Sequence, residues 1–200
     1  MAIDTNIALI SLNEAKQFLK LTVNTEDDLV GDTVNAVSDW INKYCDRKFL
    51  SAERTEYYNG NGTSELALKN FPVTAIGSLY DDPLRAFGAS TLIPSTDYIL
   101  DGNAGLVQLF NGHTNFFEGF QNIKITYTAG YAVDSTMPYA VQMACKILTS
   151  LIYRNVYVQW RVGIASEQVG DKTVTFRDEE VPKMVKSMLD PFRMIGGNFR

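Results

Sequence analysis

The chain has 200 residues, 46% of them hydrophobic, 12% aromatic and 20% charged, with a formal net charge of −5. That length and apolar content support a buried core, organised as one domain or one domain with appendages, and exclude a disordered chain. The acidic balance argues against a general nucleic-acid binder, which needs a concentrated basic surface to displace phosphate counterions.

The first residues, Met1-Ala2-Ile3-Asp4-Thr5-Asn6, carry neither a basic stretch nor an apolar run. No segment approaches the roughly 18 apolar residues of a membrane span, so a chain made and kept in a cytosol is expected. Ser11-Leu12-Asn13-Glu14 has the form of a capping box and predicts a helix from residue 11 to about 21. Leu12, Ala15, Phe18 and Leu19 share one face of it, with Lys16 and Lys20 outside. Thr25 followed by Glu26, Asp27 and Asp28 predicts a second helix, 25–46, with Thr25 as the N-cap and three carboxylates over the positive end of the dipole. Val30, Val34, Val37, Ile41 and Tyr44 form its apolar stripe, widened by Leu29, Ala36 and Trp40.

From Glu53 the pattern changes to short β-type runs broken by Gly, Pro and Asn. Thr55–Tyr58 leads into Asn59-Gly60-Asn61-Gly62, which reads as a hairpin turn returning through Glu65–Leu68. Val73–Tyr80 is a further strand, 81–96 a loop, and Tyr98–Leu100, Gly105–Phe110 and Ile123–Thr128 complete a small antiparallel barrel or curled meander. A third helix, 136–155, opens at Thr136 with Pro138 in its first turn and buries Val141, Ala144, Cys145, Leu148, Leu151 and Ile152. Beyond it, Val156–Phe176 holds Gly163 and Gly170 and the alternation Thr173-Val174-Thr175-Phe176, which suits an extended arm or hairpin. A last helix, near 181–195, sets Val181, Val185, Met188, Phe192 and Ile195 on one face and Lys183, Lys186 and Arg193 on another, and Pro191 kinks or ends it. The fold class is α+β: a small helical bundle with an antiparallel β insertion at 53–131, a core of 1–155, and an arm with a C-terminal helix at 156–200.

Cys45 and Cys145 both fall on apolar helix faces, far from any C-x-x-C spacing, and read as buried reduced thiols. Charge is unevenly spread: residues 1–136 hold 9 Lys/Arg against 17 Asp/Glu, a balance of −8, and residues 137–200 hold 9 against 6, a balance of +3. Such a split suits a subunit whose C-terminal part meets an acidic surface, although uneven solvated charge has the same appearance.

Catalytic patterns are not found. There is no nucleophile elbow, P-loop, H-E-x-x-H or zinc spacing. The single histidine, His113, sits in the polar stretch Asn111-Gly112-His113-Thr114-Asn115 and reads as solvated. Asp101-Gly102-Asn103-Ala104-Gly105 imitates a calcium loop, but Leu106 occupies the position that needs Gly and Gly112 the one that needs Glu, so a β-turn is the better reading. Glu26, Asp27, Asp28 and Asp32 are explained by the helix dipole without a metal ion. No catalytic residue, metal site or cofactor is assigned. An enzyme would have to assemble a site from residues such as Asp81, Asp82, His113 and Asp134.

Several segments, in order, resemble the head-tail connector (adaptor) proteins of tailed phages. These are S-L-N-E-A-K-Q-F-L-K at 11–20, Y-C-D-R-K-F at 44–49, Y-Y-N-G-N-G-T-S-E-L-A-L-K-N-F-P-V at 57–73, Y-I-L-D at 98–101, G-L-V at 105–107, I-T-Y-T-A-G-Y at 125–131 and the M-P-opened helix through Tyr153-Arg154-Asn155. The resemblance spans about four-fifths of the chain. It implies a structural virion protein rather than an enzyme: a ring, twelvefold in the virion and monomeric when isolated, that docks on the portal, receives a head-closure or stopper protein, and lets DNA pass without specific binding.

A virion neck location, with assembly in the host cytoplasm and no membrane partner, follows from the same resemblance. Connectors of this type reach toward the portal with C-terminal segments. By position that implies portal or inter-subunit contacts for Arg161, Gly163, Gly170, Lys172, Arg177, Lys183, Lys186, Phe192, Arg193, Phe199 and Arg200. The alternatives are another neck or tail-completion protein, such as a stopper or terminator, which would be more thoroughly β-rich, and the small hydrolase or metal enzyme above. A DNA-binding structural protein would have to grip phosphate with Lys183, Lys186, Arg193 and Arg200.

Overall fold

The computed structural model describes residues 3–133, 135–158 and 181–193. These fall into two compact units, one formed by the chain up to Arg47 with Ala132–Arg193 and the other by Lys48–Tyr131. Helices make the first and antiparallel strands the second, an α+β architecture.

In the helical unit, α1 (Leu12–Leu19) starts as its sequence dictates. Ser11 Oγ accepts from the Glu14 N–H at 3.3 Å, and the Glu14 carboxylate accepts the Ser11 N–H at 2.9 Å. It ends with Lys20 in the left-handed region (φ 58°), where the Leu21 N–H reaches back to the Lys16 carbonyl. The second helix, α2 (Asp27–Tyr44), begins later than expected, and Thr25 is not its cap. A turn closed by the Asp27 N–H on the Asn24 carbonyl carries the chain past Thr25, so the Glu26 carbonyl accepts the first helical bond, from Val30. The Glu26 carboxylate is taken up by the Tyr153 hydroxyl.

The third helix, α3 (Tyr139–Ile152), also starts late. Pro138 is its N-cap rather than a first-turn residue, because Thr136 and Met137 both donate to the Ala132 carbonyl and hold a turn there. It runs on as a π-helical segment, Tyr153–Val158. The last helix, α4 (Lys183–Leu189), gives way at Pro191 to a 3₁₀ turn, Asp190–Phe192. The α3 helix packs against α1, α2 and α4. Its Val141, Ala144, Cys145 and Leu148 are fully buried, as are Val34, Val37 and Ile41 of α2 and Val185 and Leu189 of α4. Val181 is buried too, whereas Met188 and Phe192 are only half-buried; Ile195 lies outside the described residues.

The β unit is two three-stranded antiparallel sheets rather than a meander. One has the order β1 (Ala52–Gly60), β6 (Gly119–Ala129), β3 (Val73–Asp81); the other β2 (Glu65–Ala67), β5 (Leu106–Leu109), β4 (Tyr98–Asp101). The expected hairpin between β1 and β2 is therefore absent: β1 pairs with β6 in the register Tyr58↔Ile123 and Gly60↔Gly119, while β2 pairs with β5. The glycine at 60 answers a different need, since a Cβ there would lie 1.8 Å from the Phe117 carbonyl oxygen. One core joins the sheets, with Leu79, Ile123, Ile125 and Tyr127 from the first meeting Leu66, Val107 and Leu109 from the second.

Candidate assembly surfaces

Of the residues expected at a portal or subunit contact, Arg161, Gly163, Gly170, Lys172, Arg177, Phe199 and Arg200 lie outside the described residues, as does 159–176 of the expected arm, whose start at 156–158 is π-helical rather than extended. The other four sit on or just after α4. Lys183 is exposed, and Lys186 is half-buried. Arg193 is engaged within its own unit: its guanidinium lies 4.8 Å from the centre of the Tyr44 ring and 4.0 Å from Asp190, which also accepts the Tyr44 hydroxyl at 2.8 Å. Desolvation, reinforced by Asp190, raises the Tyr44 pKa, so the phenol stays a donor. The Trp40 ring stacks on Tyr44 at 5.1 Å, and the C-terminal helix is thereby fastened to α2 by an aromatic and ionic clasp.

The described residues that an enzyme would need are each engaged by local partners. His113 is half-buried rather than fully solvated, with Nδ1 2.9 Å from Asp97 Oδ2. Asp81 faces inward, accepting from the Phe117 N–H at 2.8 Å and the Asn122 side-chain amide at 3.0 Å; burial raises its pKa against those bonds. Asp82 accepts from the Leu84, Ala86 and Phe87 N–H groups at 2.7–2.9 Å. Its burial opposes ionisation, yet those donors with Arg85 hold its pKa below the ordinary value. Asp134 lies outside the described residues. Among the described residues no group of three His, Cys, Asp or Glu side chains is placed to hold a metal ion. Asp101 accepts from the Asn103 and Ala104 N–H groups, as a turn requires.

A surface that the sequence reading passed over lies where β1 ends, β3 ends and β6 begins. Tyr57, Leu84, Arg85, Phe87 and Gln121 line an open cleft of about 430 Å³. The Asp82 carboxylate gathers the loop 82–87, and Arg85 and Phe87 adopt left-handed φ values of 58° and 50°. The Phe87 ring rests against Tyr57 at 5.6 Å and Tyr80 at 6.4 Å. Asp-Asp-Pro-Leu-Arg could have signalled this: an Asx-type turn in front of an unpaired leucine marks a built loop rather than a slack one.

Residues 8–195 of the chain match the family model described as HCP, head completion protein. The chain belongs to the head completion protein family. It is thus a structural protein of head completion. No curated protein matches its sequence. Among solved structures, this head completion protein is similar to a chain in the neck of an empty GTA particle computed with C6 symmetry, at TM-score 0.65, 14% identity, and coverage of 98% of this chain and 94% of that one. A chain from the virion of the native gene transfer agent particle gives 0.62, and one from the neck of the native GTA particle computed with C12 symmetry gives 0.60, with the same identity and coverage. At that identity the likeness is one of fold.

Proposed function

We propose that this head completion protein is a non-enzymatic connector in the neck of a phage-like virion, forming a ring on the portal and joining the DNA-filled head to the next neck or tail component. The family match across residues 8–195 carries this reading. The C12 and C6 symmetries named for the similar neck structures support a ring, most simply twelvefold. The partners are then the portal, a head-closure or stopper protein, and further copies of the chain, assembled in the host cytoplasm. Residues 1–155 act as the connector core, and 156–200 reach toward the portal or a neighbour.

The −8 balance of residues 1–136 suits a channel through which DNA slides without sticking, because like charge prevents the phosphate contacts that give affinity. Among the described residues no helix is long and apolar enough to cross a membrane. Light scattering of the purified chain, alone and with portal rings, is the test. The expected outcome is a monomer that joins portal in a fixed multiple; failure to bind portal at any ratio would remove the reading.

A further inference from the structure

We propose that the cleft at the end of the β1–β6–β3 sheet is the surface by which one copy of this chain engages a second copy, an inference that rests on the ring reading above. A closed ring of identical subunits is built from heterologous contacts, in which two different patches of the same chain meet. One such patch should be apolar, already shaped and distinct in charge from the rest of the molecule.

The cleft meets each condition. Leu84 is 88% exposed, Phe120 68%, Phe117 60% and Tyr57 49%, so one end of one sheet presents four large apolar side chains to solvent. The loop bearing Leu84 is fixed in advance by the Asp82 carboxylate and by the Phe87 ring against Tyr57 and Tyr80, which lowers the ordering cost of binding. The Gln121 N–H, at a left-handed residue, is likewise held by Asn59 Oδ1 at 2.8 Å.

Charge identifies the occupant. Lys124 Nζ lies 5.6 Å from the centres of both the Tyr80 and Phe87 rings, and Arg85 lines the cleft. Neither forms an ion pair with a carboxylate among the described residues, because the neighbouring Asp81 and Asp82 are turned inward onto backbone and amide donors. Two cations with no carboxylate partner among the described residues, beside an apolar cleft, fit an acidic protein surface carrying an apolar side chain. A second copy of this chain offers such a surface: 17 carboxylates stand against 9 cations in its first 136 residues, and Glu53, Glu65, Asp101 and Glu118 among them are exposed. Duplex DNA fits less well, since two cations release few counterions and the apolar groups would gain nothing.

The test is photo-cross-linking in assembled particles, with benzoylphenylalanine in place of Leu84 and, as a second position, in place of Phe120. Illumination should give a ladder at multiples of the 22.3 kDa chain, with the cross-linked peptide mapped to the same protein. Combining R85E with K124E should weaken the ladder about tenfold, as expected for removing complementary contact charges. Cross-links only to another protein, or none at either position in particles that contain the chain, would overturn the proposal. Particles that lack the chain altogether would refute the neck reading instead.

Discussion

Replacing Gly130 tests the joint at which the last strand leaves the sheet. Its φ is +117°, a conformation open essentially to glycine, and a Cβ there would lie 2.5 Å from the Leu50 carbonyl carbon and oxygen and 2.7 Å from the Phe49 oxygen. All three are backbone atoms, so no side-chain rotation relieves the clash. The strand around it is fixed by the Gly130 N–H on the Pro72 carbonyl at 2.9 Å, the Tyr131 N–H on Phe49 at 2.7 Å and the Ser51 N–H on Tyr131 at 3.0 Å. Strain of about 1–3 kcal/mol at such a φ adds to about 1–3 kcal/mol of overpacking.

Gly130→Val should therefore lose roughly 2–6 kcal/mol, a large part of the ~5–15 kcal/mol that holds a domain folded. Gly130→Ala should lose slightly less, since the first added carbon already meets the backbone. Urea unfolding followed by circular dichroism measures both. A loss below about 1 kcal/mol for the valine variant would refute the account, because it would mean that the backbone at 49–50 can move aside at little cost.

Asn122 is 1% exposed and ties three partners together, donating to Asp81 and the Phe117 carbonyl and accepting from the Gly60 N–H. Asn122→Ala should cost about 2–4 kcal/mol in urea unfolding, since it strands buried groups of both signs. Asp82→Asn should destabilise the chain at neutral pH. The folded-state pKa of Asp82 lies below its unfolded value, so its contribution is complete above the unfolded pKa and fades as pH falls through the folded one. The gap in urea midpoint between wild type and variant should accordingly narrow near pH 3, and an undiminished gap there would contradict the role of the ionised carboxylate. Burial pushes the thiols of Cys45 and Cys145 up to about 11 and about 12, so neither should react with an aromatic disulfide reagent at pH 8 until urea is added. Ser11→Ala should lower stability by about 1 kcal/mol through loss of the α1 cap.

Much of the helical unit was legible because its signals are local. The Ser11–Glu14 capping box and the spacing of Val30, Val34, Val37 and Ile41 each fall within a few turns, where helical hydrogen bonds also form. The charged face of the last helix was equally visible, but not that Arg193 folds back over Tyr44, a partner 149 positions earlier in the chain. The β unit was legible strand by strand and misread in its pairing. Asn59-Gly60-Asn61-Gly62 has hairpin composition, yet nothing local says that β1 and β2 belong to different sheets, because strand partners are chosen by the shared core.

The cleft was missed for the same reason. Asp82, Phe87, Tyr57 and Lys124 come from three separate stretches, and only the β1–β6–β3 order brings them together. The sequence alone determined the fold class, the buried thiols and the resemblance to head-tail connectors, since these rest on periodicity, residue type and the order of segments. Tertiary structure decided strand partners, which carboxylates turn inward and which apolar side chains stay in solvent. Those outcomes depend on competition among distant groups for the same core and hydrogen bonds, and no window along the chain contains both competitors.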